Sequence, residues 1–181
     1  MKAVHILRPF SAPVRGFTLL ELMTAIAVLA ILLGIGVPAF NGMIRASQIA
    51  AEASDMVTAL NLARSEALKR GVRVSVCAAA EDLASCSDEP DWSRGWIVFD
   101  DDFGVLPGEL DESDTLLQIW EAPANGVTLT TTAASVTFAR TGRAESPLKF
   151  EISKTGCAGD QKREIDIIRS GRVGVQRVAC P

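Results

Sequence analysis

The hydropathy pattern divides the chain into three stretches. Over residues 16–40 (GFTLLELMTAIAVLAILLGIGVPAF) nearly every position is apolar or small, and Glu21 is the one ionisable side chain. A helix of this length, at ~1.5 Å per residue, covers a hydrocarbon core of about 30 Å, so the stretch predicts a membrane span. Over residues 41–70 the apolar positions fall at spacings of three and four: Ile49, Ala53, Met56, Leu60, Ala63 and Ala67. Glu52, Asp55, Arg64 and Glu66 lie mostly off that face. This is the pattern of an amphipathic helix laid against a folded domain, with Gly71 as its stop. Beyond Gly71, short apolar or alternating runs separated by turn residues predict strands near 72–76, 95–99, 116–120, 127–130, 136–138, 148–152, 165–168 and 173–178. The expected fold class is α+β, a long N-terminal α-helix with a transmembrane half and an amphipathic half. It packs on a C-terminal antiparallel β domain made of two sheets or one strongly bent sheet.

Glu21 is the anomaly in the apolar stretch. A carboxylate at mid-bilayer costs roughly 2.5–3.5 kcal/mol on insertion scales, so it calls for a cationic partner. At the far end of the span, Pro38 removes a backbone donor and Gly34 and Gly36 lower helix propensity, which marks a place where the helix softens. Two plainer readings compete: a single-span anchor with a stray acid, and a secretory signal peptide cut after Val37-Pro38-Ala39. The apolar run exceeds the usual ~7–15-residue core of such peptides, and both readings leave Glu21 and the Gly16–Phe17 pair unexplained.

The string Arg15-Gly16-Phe17-Thr18-Leu19-Leu20-Glu21-Leu22 resembles the N-terminal signature of type IV pilins and type II secretion pseudopilins. The resemblance implies a leader cut after Gly16 by a prepilin peptidase/methyltransferase, with Phe17 as the methylated new N-terminus. It also implies that Phe17 and Glu21 carry subunit docking. That gives Glu21 its cation, because a freed α-amine has a reference pKa near ~8 and is mostly protonated at pH 7. In that family the region of Gly34, Gly36 and Pro38 is where the helix loosens as subunits pack. A second set of motifs is similar to the GspH/FimT group of minor pilins and pseudopilins. It comprises Leu62-Ala63-Arg64-Ser65-Glu66-Ala67 with Arg70-Gly71, Cys77, Trp92 and residues 95–100. The segments 138–143 and 170–173 and the closing Cys180 fit its FimT/FimU-like branch. The implied organisation is a leader (1–16), a transmembrane and filament-core helix (17–40), an amphipathic helix (41–71) and a pilin-like β domain (72–181).

Charge and cysteines add the compartment. Lys2, Arg8 and Arg15 precede the span, which argues that the N-terminus stays cytoplasmic and the rest is exported. Removing those three from 18 basic side chains leaves 15 against 22 acids, a net −7, which excludes a bulk nucleic-acid binder. In an oxidising compartment, Cys77, Cys86, Cys157 and Cys180 allow three pairings, and proximity along the chain favours Cys77–Cys86 and Cys157–Cys180. The single histidine, His5, lies in the leader, so no histidine-based nucleophile arrangement exists in the mature chain. Neither a phosphate-binding glycine loop nor zinc-ligand spacing is present, so no enzyme, cofactor or metal is expected. The run Asp100-Asp101-Asp102 with Glu109, Asp111, Glu112 and Asp114 lacks calcium-hand spacing and reads as a solvated acidic loop.

Basic side chains cluster late in the chain, from Arg140 to Arg177. Some FimT-like members bind DNA through a C-terminal Gly-Arg-x-Arg motif. Here Gly171-Arg172-Val173-Gly174 lacks the second arginine and Arg177 replaces it poorly, which disfavours DNA and favours a subunit contact. The resemblance implies a non-catalytic minor pilin, first held in the inner membrane and then built into a pilus at the cell surface. It would sit at or near the tip and help start assembly. Its implied partners are other minor and major pilins, the processing peptidase, inner membrane lipids and the inner-membrane assembly platform. A minor pseudopilin of a type II secretion system is the close alternative, and a FimT-like DNA-binding minor pilin serving natural transformation, with Arg172 and Arg177 as its contacts, is a further one.

Overall fold

The computed structural model describes residues 16–101 and 107–181, and the side chains of all of these except 38 and 39. Residues 1–15 of the expected leader, and Asp102 of the acidic run, lie outside the described residues. The first element is α1 (Leu19–Arg70). The chain forms two compact units, one ending at Phe40 and one spanning Asn41–Pro181.

In the first unit α1 is exposed all round, with Leu20, Ile26, Leu29, Leu32 and Ile35 each more than half accessible. Its most apolar 18-residue window has a mean hydropathy of 2.4, so it is long and apolar enough to cross a membrane. The helical assignment runs on through Gly34, Gly36 and position 38, and a side chain added at either glycine would meet open space.

The second unit holds the core. Ile49, Ala53, Met56, Ala59, Leu60, Ala63 and Ala67 are buried along one stripe of α1, at the helical spacing read from the sequence plus Ala59. The helix stops at Gly71, whose φ of +72° is left-handed and whose amide donates to the Ala67 carbonyl. Two four-stranded antiparallel sheets follow. The strands in chain order are β1 (Val74–Ala78), β2 (Trp96–Asp100), β3 (Thr115–Trp120), β4 (Val127–Thr130), β5 (Ser135–Phe138), β6 (Leu148–Lys154), β7 (Lys162–Ile167) and β8 (Val173–Val178). The first sheet has the order β3-β2-β1-β5 and the second β4-β6-β7-β8. The chain therefore leaves the first sheet for β4 and returns to it for β5. β1 starts two residues later than its apolar pattern, because the Gly71 turn consumes Val72 and Arg73.

Side chains from α1 and both sheets make one cluster. A 3₁₀ turn (Trp92–Arg94), capped by the Asp91 side chain on the Ser93 amide, seats Trp92 in that cluster. There Trp92 meets Phe150 of β6 edge to face at 4.8 Å and donates its indole N–H to the Ala133 carbonyl. The disulfides are Cys77–Cys86 and Cys157–Cys180. The first closes the β1–β2 connection and the second ties the C-terminus back toward β6 and β7.

One expectation is corrected. The acidic run is not wholly solvated: Asp101 is fully buried and Asp100 is 8% exposed. Asp100 ends β2 and faces Arg70 at 3.6 Å, and the Asp101 carboxylate accepts from the Ser75 hydroxyl and the Gly108 amide. A buried carboxylate needs such donors, and they come from residues 7 to 30 positions away, which a local pattern does not reveal.

Candidate functional site

The N-terminal segment starts as a capped helix. The Thr18 hydroxyl accepts from the Glu21 amide at 3.2 Å, and the Thr18 carbonyl accepts from the Leu22 amide at 3.1 Å. Thr18 is therefore the N-cap, and Glu21 sits three positions on, in the first turn. The Thr-x-x-Glu spacing of residues 18–21 is the sequence signal for this cap. A carboxylate in the first turn is also favoured by the helix dipole. Phe17 is 84% exposed, and the Glu21 side chain is exposed with no cationic partner among the described residues. The helix start thus holds an exposed aromatic ring and, about one turn on, an exposed acid with no cationic partner among the described residues.

The late basic residues do not form one patch. Lys149 pairs with Glu164 at 2.9 Å and Asp166 at 3.6 Å, and Lys162 pairs with Glu151 at 2.6 Å, all on the outer face of the second sheet. These contacts raise the Lys149 pKa and hold Glu164 below the ordinary glutamate value, chiefly through the Lys149 hydrogen bond and then Gln176. Arg163 is 8% exposed, and its guanidinium donates to the carbonyls of Asp160, Gln161 and Lys162. Burial, and then the Arg177 charge opposite it in register, push its pKa down. Arg172 lies in the β7–β8 turn and Arg177 near the end of β8, so the structure does not bring these two together.

Close packing does join two turns. A Cβ on Gly171 would stand 1.8 Å from the Gly142 carbonyl oxygen, and one on Gly142 would stand 2.9 Å from Leu68 Cγ. The turn at 139–143 and the turn at 168–172 therefore abut each other and the last turns of α1. Arg140, Arg143, Arg169 and Arg172 are exposed around this junction, in no ion pair among the described residues. The sequence shows four arginines in two separate segments, and only the fold sets them side by side.

No group of three or more His, Cys, Asp or Glu side chains among the described residues is placed to hold a metal ion. An open concavity of about 670 Å³ lies on the second sheet and is lined by residues such as Thr130, Pro147, Leu148 and Ile168. Its lining also includes Lys149, Glu151 and Asp166.

Comparison with known proteins agrees with this architecture. The prokaryotic N-terminal methylation motif matches residues 12–37, and the family described as type II transport protein GspH matches residues 52–171. No curated protein sequence matches the chain. Among solved structures, the type IV minor pilin FimU of Pseudomonas aeruginosa is similar, with a TM-score of 0.55 at 21% identity. That match covers 72% of this chain and 89% of FimU. The minor pseudopilin EpsH from the type 2 secretion system of Vibrio cholerae gives a TM-score of 0.51 at 14% identity, covering 72% of this chain and 97% of EpsH. At these identities the two structures speak for the fold, and the family match covers about two thirds of the chain. With the methylation motif at its start and the helix-plus-two-sheet domain behind it, the chain belongs to the GspH family of minor pilins and pseudopilins.

Proposed function

We propose that this chain is a minor pilin of a type IV pilus, a structural subunit without catalytic activity. It is inserted in the inner membrane with its N-terminus cytoplasmic and its β domain periplasmic. Prepilin peptidase cuts it after Gly16 and methylates Phe17, and the mature subunit joins other minor and major pilins at or near the tip, where it helps the assembly platform start a filament. The observation that carries this reading is the helix start. Cleavage after Gly16 puts a new α-amine one turn from Glu21, and the two charges neutralise each other within a subunit or between neighbours in an apolar filament core. Gly34, Gly36 and Pro38 let that part of the helix loosen as subunits pack.

Mass spectrometry of the protein from cells tests the first step: the mature chain begins at methylated Phe17. An intact leader, or a start elsewhere, overturns the reading. Glu21→Ala is expected to leave a cleaved, membrane-held protein that enters filaments poorly.

The match to a family described as type II transport protein favours one alternative, a minor pseudopilin of a type II secretion system. Subunits co-purifying with detergent-solubilised filaments separate the two, because the pilus reading expects pilins and the alternative expects secretion pseudopilins.

A further inference from the structure

One end of the second unit gathers arginines from three elements around a single connection. The unit begins at Asn41, and Arg45 follows one turn on in α1. Side chains on a helix lean toward its N-terminus, and the Arg45 guanidinium does so: a Cβ on Gly42 would meet its Nη2 at 3.9 Å. The β6–β7 connection (155–161) lies against it. A Cβ on Gly156 would meet Arg45 Cδ and Nε at 3.9 Å, and the Gln161 side-chain amide donates to the Gly42 carbonyl at 3.3 Å. Arg163 turns to the same connection, donating to the carbonyls of Asp160 and Gln161. Arg177 stands opposite Arg163 in register on β8, close enough to push its pKa down, and the Cys157–Cys180 disulfide fixes the end of β8 to the connection.

These arginines lack a counterion. Arg45 is half-buried with its Nε enclosed, Arg177 is exposed, and neither they nor Arg163 enter an ion pair among the described residues. Lys154 and Lys162 border the connection at the end of β6 and the start of β7, with Lys162 holding Glu151. The other acids at this end are Asp160 and the terminal carboxylate of Pro181, both on exposed residues. Glu52 lies two turns further along α1 and accepts from the Ala124 amide. Glu89 and Asp91 lie along β4 at Thr128 and Thr130, and β4 is three strand spacings from β8, or about 14 Å.

We infer that Arg45 and Arg177, with Arg163 behind them, receive the phosphate of an anionic phospholipid of the phosphatidylglycerol type, in the leaflet where the span emerges. By chain continuity, the residues around Asn41 are the part of the domain nearest the apolar segment that ends at Phe40. Arg45 follows Phe40 by ~8 Å along a helix, and a headgroup layer is about 5–7 Å deep, so an arginine leaning back along the helix reaches that layer. A guanidinium offers a phosphate two parallel donors, and each arginine at the surface of an anionic leaflet adds to the attraction. The inference rests on reading residues 16–40 as a span. It adds a lipid preference that holds the domain against the bilayer before the subunit joins a filament.

The test is native mass spectrometry of the full chain in a non-ionic detergent, titrated with phosphatidylglycerol or phosphatidylcholine. The basic residues of the leader are present in every sample, so the variants carry the comparison. Arg45→Gln with Arg177→Gln is expected to weaken phosphatidylglycerol binding about tenfold and to leave phosphatidylcholine binding unchanged. Arg45→Lys with Arg177→Lys keeps both charges and is expected to bind within about threefold of the wild type, which separates loss of the site from loss of the fold. Arg140→Gln with Arg143→Gln, in the turn beside Leu68, is expected to bind as the wild type does. An equal loss in that distant variant, or no loss in the first, overturns the inference. Displacement of the lipid by millimolar inorganic phosphate, or by a short duplex DNA, assigns the arginines to a free anion or to nucleic acid and overturns it as well. A wild type that does not insert into phosphatidylcholine nanodiscs refutes the span and the inference with it, whereas insertion with no effect of the first variant refutes the inference alone.

Discussion

Asp101→Ala measures how far the buried acid organises the domain. The Asp101 Oδ2 atom accepts from Ser75 Oγ and from the Gly108 amide at 2.8 Å, while Ser75 Oγ also meets Thr137 Oγ1 at 2.7 Å. Ser75, Asp101 and Thr137 are all at most 8% exposed, and they tie β1, the end of β2 and β5 to the loop that leads to β3. Alanine leaves the Gly108 donor orphaned, at a cost of about 2 kcal/mol. The serine hydroxyl keeps Thr137 and loses about 1 kcal/mol, for a total near 3 kcal/mol. Asn keeps an acceptor for Gly108, and its amide nitrogen occupies the place of an oxygen, Oδ1, that has no partner among the described residues. Asp101→Asn is therefore expected to cost about 1 kcal/mol or less. Urea unfolding of the detergent-purified chain, followed by the fluorescence of Trp92, Trp96 and Trp120, reads both. A 3 kcal/mol loss moves the midpoint by about 1–2 M. An Asp101→Ala midpoint equal to that of the wild type refutes the reasoning, because the orphaned donor would then have found water at no cost.

Gly171→Ala is expected to lose about 3 kcal/mol or more in the same assay, since φ is +77° and the new Cβ meets the Gly142 carbonyl oxygen at 1.8 Å. Replacing Cys157 and Cys180 together by Ser is expected to cost ~3.5 kcal/mol for a 23-residue separation, and Cys77 with Cys86 ~2.5 kcal/mol for 9, which paired thermal melts compare. Acid weakens the domain through Glu164 and Glu66. The first is held below the ordinary glutamate value by Lys149 and then Gln176, and the second by Arg70 and then Lys69. A carboxyl whose folded pKa is depressed adds stability that is whole above the unfolded value, near about 4.3, and is lost as pH falls through the folded one. Urea midpoints at neutral and acid pH check this, and Glu164→Gln is expected to flatten the fall.

The extent to which the sequence speaks for the structure varies with the range of the interaction. The stripe from Ile49 to Ala67 was legible because helix periodicity is a property of neighbours three and four apart, and the core lies where that stripe faces. Both disulfides join cysteines close in the chain, so proximity sufficed. The strands were legible as runs, with ends shifted by one to three residues.

The membrane helix, the capped start with its lone Glu21 and the amphipathic continuation were determined by the sequence itself, because each rests on contacts within one or two helical turns or on solvent alone. The tertiary structure alone decided the departure of the chain into a second sheet at β4, the burial of Asp101 and Arg163, and the meeting of the turns at Gly142 and Gly171. Asp101 finds its donors, and the Gly142 carbonyl its close neighbour Gly171, through the fold, whereas Arg163 is buried by the fold but donates to the carbonyls just before it in the chain. Whether a charged side chain is solvated or buried depends on donors and acceptors that the pattern around it does not contain.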